Sequence, residues 1–280
     1  MLFFHKYTLN RKQQHIAESA VIVVVTFVLA IVLKMFVVDA VFIPSPSMEQ
    51  TLIAGDFVIV NKLIHGSSSQ KNDALMVTEA SLMNIPALRQ VEQGDVIVFH
   101  LPSDEQYHQT TASPWFVKRC IARSGDNVLM RNGRVYVNGS PVLLPSNKHL
   151  EEYPSVTSND FRSVRVPRSG DVIDLSEENY HDWESFIKRE GHIIDHIPSL
   201  GIFIDGHLVT SYTVSKNYLF VLGDNRSKSF DSRSWGFLPE ENVIGLAAVV
   251  YWSMDKPADE NDQGDFFSSI RWGRIGTLIW

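Results

Sequence analysis

A β-sheet core behind a single N-terminal membrane-spanning helix is the fold class that this 280-residue sequence predicts. Three observations carry it. An apolar run lies near the start, short runs of β-branched and aromatic residues recur beyond it, and two dipeptides of tight-hairpin type separate pairs of such runs. The apolar run has no charge from Ala20 to Leu33 and, apart from Lys34, continues to Val38. A helix of that length rises about 28 Å, close to the thickness of a hydrocarbon core. Lys34 sits near its far end, where the stem can follow apolar surface while the ammonium reaches the headgroups. A cleaved secretory signal shares the basic start and the apolar core, but Asp39-Ala40 is a poor cleavage site, which favours an uncleaved anchor. Lys6, Arg11 and Lys12 precede the run, whereas Asp39 and Glu49 are the first charges after Lys34. The amino terminus is therefore expected in the cytoplasm and the remaining chain outside.

Beyond the anchor, 56–60, 95–99, 115–122, 218–222 and 243–252 read as strands. Asn132-Gly133 and Asp205-Gly206 tolerate the positive φ of tight turns, so 128–137 and 202–209 read as hairpins. A helix is expected over 177–190, with Ser176 as N-cap, acidic residues in its first turn and Gly191 just past its end. The stretches 65–93 and 145–168 lack a sustained period and look like excursions from the core. The expected organisation is a cytoplasmic 1–18, an anchor 19–38, a core in two parts (39–137 and 218–255), an inserted lobe 138–217 and a tail 256–280.

Composition narrows the function classes. With 44% hydrophobic residues, 20% charged residues and a net charge of -7, the chain carries no basic stripe, so no nucleic acid partner is expected. Cys120 is the single cysteine, which excludes an internal disulfide and leaves it as a packing residue. His192 and His196 are four apart around Asp195, but the surrounding sequence is not helical and no third ligand is evident. With no Gly-rich phosphate loop either, neither a metal nor a cofactor is expected.

The chemistry centres on Ser45 and Ser47, a few residues past the apolar run, and on Lys118 in the alternating stretch Phe116-Val117-Lys118-Arg119-Cys120-Ile121. A serine hydroxyl needs a base, and a neutral lysine can serve. Its pKa must first fall from about 10.4 to near 7, at a cost of roughly 4 kcal/mol, and burial among apolar neighbours supplies such a fall. Phe116, Lys118 and Cys120 share one face of a strand, while Val117, Arg119 and Ile121 share the other. Each residue alone also has a plain structural reading: a serine near proline makes turns, and a lysine beside an arginine pairs with a carboxylate. A third segment, Gly223-Asp224-Asn225 through Ser229 to Asp231-Ser232-Arg233, shifts that balance.

Ser45-Pro46-Ser47-Met48 with Thr51-Leu52 and Gly55-Asp56, then Gly94-Asp95-Val96, then Lys118-Arg119 with Gly125-Asp126, then this third segment resemble the ordered boxes of bacterial type I signal peptidases, the Ser/Lys leader peptidase family. The match covers about a quarter of the chain at motif level. The resemblance implies a mainly antiparallel β fold, with a catalytic core of sheets and an inserted β-rich lobe. It implies a membrane-bound serine endopeptidase that removes signal peptides from exported preproteins at the outer face of the inner membrane. Its partners would be those preproteins and the phospholipid bilayer. Ser47 would be the nucleophile and Lys118 the general base. Ser45 would stabilise the oxyanion beside the backbone N–H of Ser47, and Ser229 would hydrogen-bond Lys118 and orient it. Asp231 with Arg233, and Asp224 with Arg119, would form supporting ion pairs. Gly223 would avoid crowding the lysine. Substrates would bind extended, adding a strand to an enzyme edge, with pockets sought near Met48 and along 95–101.

Two departures stand out. Gln50 occupies the place where the family usually carries a proline, which removes a φ restraint, and Arg123-Ser124 replaces the usual approach to Gly125-Asp126. A related Ser/Lys peptidase dedicated to one exported substrate, or an inactive membrane-anchored β protein that binds secreted chains, fits the same anchor and strands. The tail, with Phe266, Phe267, Trp272, Trp280, Arg271 and Arg274, reads either as an interfacial segment or as a last element packed on the body.

Overall fold

The computed structural model describes residues 11–63, 89–101, 115–142, 161–255 and 267–280. Most of the expected excursion 65–93, and 145–160 of the other, lie outside the described residues. The chain enters through α1 (Arg11–Phe36) and turns into β1 (Val38–Phe42), so the helix ends two residues short of the expected anchor boundary. The described side chains of α1, at 15–31 and 34, are all exposed, and those at 11–14, 32–33 and 35–36 lie outside the described set. Among the described residues no helix is long and apolar enough to cross a membrane.

The five runs read as strands all enter one antiparallel sheet. They are β2 (Asp56–Asn61), β3 (Val96–Phe99), β4 (Phe116–Arg123), β14 (Tyr218–Leu222) and β16 (Val243–Ser253). With β1 and β15 (Leu238–Pro239), the strand order is β1-β2-β16-β3-β4-β14-β15. Strand β16 is bulged against both neighbours, which lets a long strand twist across the sheet. One apolar layer gathers Val41, Met48, Leu52, Val58 and Val117. A second gathers Ile97, Phe99, Cys120, Val221 and Trp235. Cys120 is fully buried there, and burial pushes its thiol pKa up, as suits a packing residue rather than a nucleophile.

The remaining strands build smaller sheets. The hairpin of β5 (Asn127–Arg131) and β6 (Arg134–Val137) turns at Asn132 (φ 51°) and Gly133 (φ 70°). It is joined by β7 (Ser140–Pro141) and by β8 (Phe161–Arg165) on its other side. Thus part of the irregular-looking 145–168 is a strand: Ser163 and Arg165 are exposed, while pairing with β5 supplies the backbone partners. A three-stranded sheet contains β10 (Ile194–Ile197), β11 (Gly201–Ile204) and β12 (His207–Val209), with Asp205-Gly206 at the second hairpin turn. A two-stranded ribbon joins β9 (Val172–Asp174) to β13 (Ser211–Thr213). Helix α2 (Tyr180–Arg189) starts three residues later than expected. Asn179 is its first flanking residue, and Ser176 contributes its carbonyl oxygen, which accepts from Tyr180 N at 3.0 Å, rather than a side-chain cap. A single apolar cluster, including Ile121, Val128, Val166, Phe186, Ile202 and Phe220, joins these sheets and α2 to one end of the large sheet.

Two further expectations change. Strand β3 is paired on both sides, by β16 and β4, so it offers no free edge to an extended peptide. The tail packs on the body: Ile270 bridges Met254 and Leu278 bridges Val249. Its arginines are both engaged, Arg274 by the buried Asp56 and Arg271 by the exposed Asp255, while Trp272 and Trp280 face out.

Candidate active site

Ser47 occupies a single 3-10 turn, Pro46–Met48, three residues beyond β1. Pro46 opens the turn with its φ already set and with no amide left unbonded. Met48, 1% exposed, anchors the turn in the apolar layer beside Val41, Leu52 and Val117. The backbone oxygen of Ser47 accepts from Asn225 N at 3.0 Å. The Ser47 side chain is buried and its Oγ lies 3.3 Å from Ser45 Oγ.

The chain then makes a type II β-turn. Glu49 has φ -53° and ψ 130°, Gln50 has φ 107°, and Thr51 N donates to Met48 O at 3.0 Å. That third position favours glycine, and holding glutamine there stores on the order of 1–3 kcal/mol. The absent proline therefore does not loosen this turn. A proline at 50 is incompatible with it, because the ring fixes φ at about -65°.

Lys118 lies in β4 opposite Ile97 of β3. It is 3% exposed, and its Nζ donates to Ser47 Oγ at 2.8 Å and to Val117 O at 3.0 Å, with the Phe116 ring centroid 5.9 Å away. Burial lowers its pKa to about 8, against the opposing pull of the Asp231 and Asp224 carboxylates. The structure thus brings Ser45, Ser47 and Lys118 together.

Ser229 is placed differently from what the resemblance implies. Its Oγ is buried without a hydrogen-bond partner among the described residues, and the second acceptor for Lys118 Nζ is the Val117 carbonyl. At Gly223 a Cβ would lie 2.2 Å from Ser229 Oγ and 2.5 Å from Ser47 O, so a side chain there would crowd Ser229 and the backbone of the Ser47 turn.

Around this group the buried ions are paired. Arg119 donates through Nε to Asp224 Oδ1 (2.8 Å) and through Nη2 to Asp224 Oδ2 (2.7 Å) and Thr51 Oγ1 (3.0 Å). Its Nη1 donates to the backbone oxygens of Gly94 and Trp280, both at 2.6 Å. Asp231, fully buried, accepts from Arg233 Nε (2.8 Å) and Nη2 (2.9 Å) and from Gly223 N (3.0 Å). It also caps α3 (Ser232–Trp235) through Arg233 N. The sequence gives no role to Val117 O, Thr51 or Asn225. The first is a backbone atom with no signature, and the other two are polar residues that matter only because distant segments meet them.

A hydroxyl in contact with a desolvated amine, with a second hydroxyl beside it, can open an acyl carbonyl to attack and hold the resulting oxyanion. No metal is needed for that sequence of steps. Among the described residues no group of His, Cys, Asp and Glu is arranged to hold one, and His196 lies in β10, where helical ligand spacing does not apply.

Comparison with known proteins points the same way. The family model described as signal peptidase, peptidase S26, matches residues 16–252. Signal peptidase I of Aquifex aeolicus is 31% identical over 254 residues, covering 85% of each chain. Signal peptidase I of Buchnera aphidicola is 27% identical over 271 residues, covering 90% of this chain and 78% of its own. The Haemophilus influenzae enzyme of the same name is 28% identical over 282 residues, covering 87% of this chain and 73% of its own.

Proposed function

The chain belongs to the signal peptidase family, peptidase S26, and from that premise we propose that Ser47 and Lys118 cleave signal peptides from exported preproteins as a catalytic dyad. The enzyme is a serine endopeptidase. The single observation that carries the dyad is the 2.8 Å contact between Ser47 Oγ and a Lys118 amine whose burial lowers its pKa to about 8. Neutral Lys118 accepts the proton of Ser47 Oγ as the oxygen attacks the scissile carbonyl. The oxyanion is held by Ser45 Oγ–H and the Ser47 N–H. The Lys118 ammonium then returns the proton to the leaving amine. In the second half the neutral Lys118 amine takes a proton from the water that attacks the acyl carbonyl and gives it to Ser47 Oγ as the acyl bond breaks, which restores the starting dyad.

Strand β1 is an edge strand, and its free side leads to Ser45 within three residues. An extended substrate added there has its scissile bond alongside Ser47. Helix α1 serves as the membrane anchor in this reading: its described residues alone do not make a full span, and the support is the uncharged 20–33 and the exposure of every described side chain along it. With its basic flank inside, the catalytic domain, built from 39–137 and 218–255 around the lobe 138–217, faces the outer side of the inner membrane.

The test is to incubate the purified protein and its Ser47→Ala variant with several unrelated preproteins and to map the cuts by mass spectrometry. Wild-type protein should cut each once, after its signal peptide, and Ser47→Ala none. Cleavage by Ser47→Ala at the wild-type rate would refute the dyad, and cutting of one preprotein alone would mark a dedicated peptidase.

A further inference from the structure

The family match ends at residue 252, yet the tail beyond it grips the loop that carries the nucleophile. The segment runs antiparallel to β16: Gly276 N donates to Val250 O at 2.8 Å, Val250 N to Thr277 O at 2.9 Å and Ile279 N to Ala248 O at 3.0 Å. From this platform Arg274 reaches across to the loop 51–56. Its Nε donates to Asp56 Oδ1 (2.9 Å), and its Nη2 donates to Asp56 Oδ2 (2.5 Å) and to Thr51 O (3.0 Å). Asp56 is fully buried and accepts further from Ser253 Oγ and Ile53 N, so the carboxylate is a fixed post rather than a mobile surface group. Arg271 adds a bond from Nη1 to Ala54 O at 3.0 Å.

Thr51 is therefore held twice, its carbonyl by Arg274 and its hydroxyl by Arg119. It is also the last residue of the turn in which Gln50 sits at φ 107°. On the other side of that turn, Asn225 holds Ser47 O through its backbone N–H and Glu49 Oε2 through its side chain (3.0 Å). A strained turn persists only while its ends are pinned. If the pin at Thr51 is released, Gln50 can relax toward negative φ and carry Ser47 Oγ away from Lys118 Nζ.

We infer that Arg274 is a positioning residue for the nucleophile, acting through Thr51 and Asp56 to keep the Gln50 turn, and with it Ser47, in register with Lys118. This rests on Ser47 being the nucleophile. A displacement of about 1 Å can lower the rate by as much as 10²-fold without loss of substrate binding. In the full-length protein, Arg274→Ala should lower kcat by about 10- to 100-fold with KM within about threefold. Adding Gln50→Gly should bring kcat back to within about threefold of wild type, because glycine holds that φ without the clamp. Arg274→Lys, which keeps a charge for Asp56 but lacks the fork that also reaches Thr51 O, should show a smaller loss reversed by the same glycine, and it serves if Arg274→Ala does not fold. Wild-type kcat in these variants, or a loss that Gln50→Gly fails to reverse, overturns the inference. Inactive Ser47→Ala alongside such a result leaves the dyad standing, whereas active Ser47→Ala removes the dyad itself.

Discussion

Lys118 and Arg119 are neighbours in β4, exposed to only 3% and 2%, and their pockets treat the same charge in opposite ways. Around Arg119 the Asp224 carboxylate, the Thr51 hydroxyl and two backbone oxygens fill the guanidinium fork, so the desolvated cation is compensated and ties four segments together. Around Lys118, among the described residues, the acceptors are a hydroxyl and one carbonyl, with the carboxylates of Asp231 and Asp224 engaged by their own arginines. Burial then outweighs attraction, and the pKa falls from 10.5 to about 8. At equal burial the guanidinium finds an acceptor for each of its nitrogens and the ammonium does not, and that shortage is what suits Lys118 to the proposed role of base.

The contrast breaks most severely in Lys118→Arg. A guanidinium keeps its proton at any working pH. Signal-peptide cleavage should fall on the order of 10⁴-fold, ~5 kcal/mol of barrier, in single-turnover assays. An active variant would place the base elsewhere. Next in size is Arg119→Met, which strands Asp224 as a buried, unpaired carboxylate and should lower stability by about 3–5 kcal/mol in urea unfolding. Arg119→Met with Asp224→Leu should recover most of that, since no isolated charge remains. A double variant as unstable as the single one would show that the pair's charges are not what holds the site. The smallest effect sharpens the lysine side. With the neutral amine as the proposed base, kcat/KM should rise with pH through about 8 and level off above it. Asp231→Asn removes a charge that favours the ammonium and should move this acid limb to lower pH. A limb near 10.5 would mean that Lys118 is solvated in solution.

The strands of the large sheet were legible where β-branched and aromatic residues run together, as in Tyr218–Leu222. Phe161–Arg165 was not, because its polar alternation acquires strand character only from its partner β5. The hairpin turns were legible from Asn132-Gly133 and Asp205-Gly206, whose conformational needs are local. The motif residues Ser47, Lys118 and Gly223 were legible as types. The relation of Ser229 to Lys118 was not, since a hydrogen bond depends on side-chain placement to within an ångström. Arg271 and Arg274 read as basic residues of an interfacial tail, because nothing nearby in sequence reveals that Asp255 and the buried Asp56 pair with them.

By itself the sequence determined five strands of the large sheet, where two hairpins would turn tightly, and that a serine and a lysine of one peptidase family stand in the required order. Those properties follow from backbone preference and side-chain chemistry, which act within a few residues. Only the tertiary structure decided that β3 is an interior strand, that Arg119 is fully paired while Lys118 is not, and that Gln50 holds a turn no proline could enter. Each depends on segments far apart in the chain meeting at fixed register, and burial, the cause of the lowered lysine pKa, exists only once they have met.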